Sequence, residues 1–211
     1  MKLSDYRAIR ESGKELGSKI FKYAVDNNKN EMISTAKLLG LWNGKMFIFE
    51  SENDSNALMD FLVFEKPTQN TPAFKRFHMS NPGLNDVQQE QINGMYHNFS
   101  SLFEVKSIDR MGNTLVLADL LDNNRKEYLL MDIGMSKTAP VGFVMFTRLI
   151  PIRDINMTSG VSFGFENKYK DKLLSAISLA TFQKRRKLNS NEIYVLMHNK
   201  NRQFGMETRT E

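Results

Sequence analysis

Lys184, Arg185, Arg186 and Lys187 stand in one unbroken run, and Lys200 and Arg202 follow close behind. Four adjacent cations can neutralise several phosphates, so the run is a candidate salt-dependent nucleic-acid contact. A second reading competes with this one, because cations are favoured at a helix C-terminus by the backbone dipole alone. The stretch also lacks interleaved aromatics for base stacking, and Ile193–Met197 is too apolar for a base-reading helix. A solvated helix end is the plainer expectation.

Arg148 is the other residue that stands out. It lies inside Phe143–Ile150, a run too apolar to be a fully exposed strand. An arginine there either clamps a ligand or pairs with an acid at a barrel rim, and Asp119 is the acid expected to meet it. Asp109, Asp119 and Asp122 otherwise sit where carboxylates bond turn amides. Asp132–Lys137 reads as a solvated polar loop with a lysine near its tip. Phosphate-cradling glycine loops, His-Glu-x-x-His and Gly-x-Ser-x-Gly are all missing from the sequence. His78, His97 and His198 are scattered, with no pair at a metal-ligand spacing. No catalytic residue, metal site or cofactor is expected.

The elements that must position these groups follow from periodicity. Tyr6, Ile9, Leu16, Ile20, Phe21 and Ala24 recur at helical steps, with Ser4 as the expected cap and Gly13 and Gly17 on the same face. A shorter helix is predicted over 31–39, closed by Gly40. A turn at 42–45 and a short strand at 46–49 follow. A helix through Leu58–Phe64 is expected to be capped by Asn53, Asp54 or Ser55. Pro67, Pro72 and Pro82 restrict any helix at 73–79 to a short one. Asn85 and Gln88 form a capping-box pattern opening a helix to about residue 98.

At Ser100 the period changes to two. Leu102–Ile108, Thr114–Leu120, Lys126–Met131, Gly142–Ile150 and Val161–Phe165 read as strands, separated by turn residues such as Gly112-Asn113 and Asn123-Asn124. Five short strands with tight turns predict a small antiparallel β-barrel. A helix resumes through Leu173–Ala180 into the basic run. After it, Asn189 and Glu192 have helix-cap spacing, although a hairpin using Arg202–Thr208 is the competing pattern.

Composition sets the class. The chain has 211 residues, 41% of them hydrophobic, with 15 Phe and 13 Met, enough to bury a substantial core. No apolar run approaches the ~20 residues needed to cross a bilayer. The charged start, Met1–Arg7, is unlike a signal peptide. The absence of cysteine excludes disulfides, thiolate catalysis and thiolate zinc sites. Of the net charge of +5, the whole basic excess lies beyond Asn167, where ten Lys and Arg face four acids.

Met59–Phe64 with Thr71-Pro72, Leu102–Val105, Ala118–Asp122, Gly142–Arg148 with Leu149-Ile150-Pro151, and Ser159-Gly160 together resemble an uncharacterised bacterial family. Its small β-barrel often accompanies a cysteine-rich zinc motif like that at the C-terminus of the SecA motor. This sequence lacks the zinc motif. The resemblance implies a fold and no activity.

The sequence therefore predicts an α+β protein with a helical region at 1–99, a barrel at 100–166 and a basic helical extension at 167–211, with all three able to form one compact unit. A cytoplasmic, non-enzymatic binding or adaptor protein is expected, with a protein or nucleic-acid partner and no membrane. Nucleic-acid binding through the basic segment is the alternative. An enzyme with a site at the barrel rim, near Arg148 and Asp119, is the second alternative.

Overall fold

Helical spacing of apolar residues carries through the first part of the chain. In the computed structural model, Tyr6, Ile9, Leu16, Ile20 and Ala24 form the buried side of α1 (Leu3–Asn27). The structure describes residues 1–27, 29–66, 71–80 and 82–206. Pro67, and positions 207 and 208 of the alternative C-terminal hairpin, lie outside these. Two compact units are present, Met1–Asn98 and Phe99–Glu211.

In the first unit α1 is the spine. It contacts α2 (Lys29–Leu38), α3 (Glu52–Phe64), α4 (Ala73–Met79) and α5 (Asp86–Tyr96). Gly13 lets α5 approach closely: a Cβ there would lie 2.8 Å from Gln91 Nε2, which itself donates to the Ile9 carbonyl at 2.6 Å. Gly17 has open space instead. The Asn85–Gln88 capping box forms as expected.

Three local expectations are corrected. Ser4 lies inside α1, and its hydroxyl donates to Asp5 at 3.3 Å. Ser51 precedes α3 as its cap residue, while Asp54 folds back to accept from the Glu50 amide. Met46–Phe49 is not a strand, because the only pairing there is a lone Trp42–Phe47 bridge. An isolated bridge with no third strand beside it does not propagate.

The second unit is built on β1 (Phe99–Asp109), β2 (Thr114–Asp119), β3 (Glu127–Met131), β4 (Val144–Ile152) and β5 (Ile155–Phe165). Their order is β1-β2-β3-β5-β4, closed into a barrel by pairing of β1 with β4. The antiparallel expectation is corrected. Four seams are antiparallel, but β3 and β5 pair in parallel at Leu130–Asn156. A parity argument explains it: five strands in a ring cannot alternate direction all the way round, so one neighbouring pair must run together.

Phe103, Val105, Leu115, Leu117, Leu130, Met145 and Leu149 form the core of the barrel unit, with Met135 and Ala139 packed among them. Those last two belong to α6 (Ile133–Thr138) and its end. The expected polar loop is thus a short helix: Asp132 caps it by accepting from the Met135 amide at 2.9 Å, and Lys137 is exposed. A second apolar layer forms where α8 (Ser190–Phe204) lies on the sheet. There Tyr194 meets the stacked pair Phe146 and Phe163 edge-on, at 5.7 and 5.4 Å. The described residues from 167 to 206 therefore fall within the barrel unit, and Ser190–Phe204 is a helix where the hairpin was the alternative. Among the described residues no helix is long and apolar enough to cross a membrane.

Candidate functional site

The basic run sits at the junction of two helices. α7 (Lys170–Lys184) buries little of itself: Leu173 is its one fully buried residue, while Leu179 is 57% and Phe182 80% exposed. The helix stops because Arg185 takes a left-handed conformation at φ 54°, its amide bonding the Phe182 carbonyl. A non-glycine residue there closes the last turn and carries its side chain outward.

Four residues later the chain turns into α8 through a capping box, with Asn189 accepting from the Glu192 amide and Glu192 from the Asn189 amide. The same carboxylate takes two cations of the run. Arg186 binds it bidentately at 2.7 and 2.8 Å, and Lys184 reaches it at 2.5 Å. These bonds, Arg186 first, hold the Glu192 carboxyl well below the usual carboxylate range. In return Glu192 raises the Arg186 guanidinium.

The four-cation run is thus split. Lys184 and Arg186 share the single negative charge of Glu192, whereas Arg185 and Lys187 are exposed and make no ion pair among the described residues. Lys200 and Arg202 do not join them. They lie ten and twelve residues along α8, roughly 15 Å or more from its start. Lys200 donates to Gln203 at 3.1 Å.

Arg148 and Asp119 are both buried. Arg148 stands in β4 opposite Ser100, where the register towards β5 shifts between Thr147 and Leu149. The Asp119 carboxylate is engaged elsewhere than expected: it accepts from the Ser101 hydroxyl at 2.5 Å and from the Leu121 amide at 2.9 Å. It therefore fastens β2 and its turn to β1. Among the described residues no three His, Cys, Asp or Glu converge as a metal site.

Two features of the surface escaped the sequence reading. Phe182 supplies the exposed aromatic beside the cations, where the sequence reading found no interleaved aromatic. Glu192 was visible as a cap, and its separation of six residues from Arg186 was the available sign of the clamp.

A family model described as a family of unknown function, DUF7986, matches residues 1–211. The chain belongs to that family. The match runs through the helical unit and the barrel unit alike, so DUF7986 spans both. Neither the curated proteins nor the solved structures give a match.

Proposed function

We propose that this DUF7986 chain is a non-catalytic, cytoplasmic binding protein that docks an acidic, partly apolar protein segment at the α7–α8 junction. The observation that carries the reading is Phe182, 80% exposed, with Leu179 one helical step away and the unpaired Arg185 and Lys187 beside it. An exposed aromatic with two cations close by in the chain has the composition of an interface hot spot, and its charge selects an acidic partner. Kinship with the bacterial barrel family that carries a SecA-like zinc motif belongs to the same proposal, resting on the strand and turn motifs it shares.

One observation favours a second reading. Phe182 also offers a face for base stacking beside two free cations, so single-stranded nucleic acid is the rival occupant.

Fluorescence anisotropy separates them. The probes are a labelled peptide alternating Glu with Leu and a mixed-sequence single-stranded DNA, each at low and moderate salt. The intact chain is compared with Phe182→Ala and with Arg185→Ser/Lys187→Ser. Peptide binding weakened about 30-fold by Phe182→Ala supports the proposal. Binding of DNA alone, lost in the double variant, overturns it in favour of the second reading. Failure to bind either probe at low salt overturns both.

A further inference from the structure

The outer face of the barrel carries a separate cleft of about 360 Å³, lined by Glu104, Lys106, Ala118, Arg125, Glu127 and Lys170. Its floor follows from strand register. Ala118 on β2 is the cross-strand partner of both Glu104 on β1 and Glu127 on β3. One short side chain between two long charged ones leaves room, and the two carboxylate-bearing strands stand roughly 10 Å apart across it. The volume falls within the range of small-molecule sites.

The charges in the cleft are not all engaged. Glu104 holds Lys170 at 3.2 Å and Lys106 at 3.9 Å. Arg125 and Glu127 stand at the cleft, exposed and hydrated, and make no ion pair among the described residues. Among the described residues Arg125 is also one of four non-glycine residues with positive φ, at 51°. Its amide closes the turn by donating to the Asp122 carbonyl at 3.0 Å, which fixes the backbone from which the side chain leaves.

We infer that this cleft binds a small zwitterion of the amino-acid or short-peptide class. Its carboxylate meets Arg125, within the field of Lys106 and Lys170, and its ammonium meets Glu127. Two opposite free charges flanking an apolar floor select a ligand that carries both. A simple anion would be repelled by Glu127, and a simple cation by Arg125. The site is independent of the α7–α8 junction and stands or falls without it.

The test is a titration of the full chain with glycylglycine, followed by amide chemical shifts. N-acetylglycine, which lacks the ammonium, glycinamide, which lacks the carboxylate, and inorganic phosphate are titrated in parallel. Glycylglycine should shift the amides of Ala118 and Glu127, and each single-charge analogue should bind at least about tenfold more weakly. Glu127→Gln and Arg125→Asn should each weaken the dipeptide by about tenfold as well, asparagine being chosen because it tolerates a left-handed backbone. Ala118→Leu should abolish binding by filling the floor, with the remaining spectrum unchanged. Absence of shifts at tens of millimolar dipeptide overturns the inference. So does equal binding by phosphate or by either single-charge analogue.

Discussion

Replacing Arg76 by Ala would remove the bidentate cation from a buried carboxylate inside the helical unit. Arg76 on α4 reaches Glu31 on α2 through Nη2 at 2.6 Å and Nη1 at 3.3 Å, and Nη1 also donates to the Thr71 carbonyl at 2.7 Å. The Glu31 side chain is 1% exposed and that of Arg76 20%. Removing the guanidinium therefore takes the bidentate cation away from a charge with almost no access to water, at a cost of about 3–5 kcal/mol. Glu31→Gln keeps an oxygen for the guanidinium, which can still reach solvent, so its cost should be nearer 1–2 kcal/mol. The ordering is the sharp part of the prediction, and the double variant should recover part of the loss. Urea unfolding followed by Trp42 fluorescence reads it. Trp42 is the only tryptophan, and it packs edge-on against Phe47 at 5.1 Å within the same unit. For a unit of this size the arginine variant should melt at least about 12 °C lower. A Glu31→Gln loss equal to or larger than that of Arg76→Ala would refute the reasoning, as would an Arg76→Ala loss below about 1 kcal/mol.

Three further outcomes are expected. Gly17→Ala, with nothing within 4 Å of its new methyl, should stabilise α1 by about 0.5–1 kcal/mol, while Gly13→Ala should destabilise by pushing on buried Gln91; the same urea assay distinguishes them by sign. Glu192→Gln keeps the cap acceptor but releases Lys184 and Arg186, and should lower the melting temperature at neutral pH. Because the folded carboxyl is held below its unfolded value of about 4.3, that difference is fully present above this pH and shrinks as pH falls through the folded value, which melting curves from pH 7 downward would show. Phe182→Ala should change stability by no more than about 0.5 kcal/mol, since the ring is mostly in water, and circular-dichroism melting checks this.

Local signals carried the sequence reading a long way. The period-two segments became strands because each had a neighbour within a tight turn, and both Asn-based capping boxes formed because their spacing is a three-residue matter. What failed was what depends on partners far along the chain. Met46–Phe49 has strand composition but meets no sheet. Glu31 and Arg76 are 45 residues apart, and no pattern links them. Asp132 looked solvated because its capping role needs the barrel to bury Met135 behind it. The parallel seam was within reach of arithmetic, since closure and five strands together forbid full alternation. At the α7–α8 junction, charge composition was legible but charge occupancy was not: a run of four cations reads the same whether or not an acid across the turn engages two of them.

The parallel seam also sets how the barrel comes apart. β3 and β5 meet in register at Leu130–Asn156, and the Asn156 side chain adds a bond to the Leu129 carbonyl at 3.0 Å. The other four seams are longer antiparallel ladders, two of them interrupted by a register shift. The ring is therefore a five-strand ribbon fastened by a clasp, and a side-chain amide is part of that clasp. Thermal opening should begin there, turning the barrel into an open sheet without breaking any hairpin. The edges released would be β3 and β5, and α6, which follows β3 directly, would swing with the opening flap.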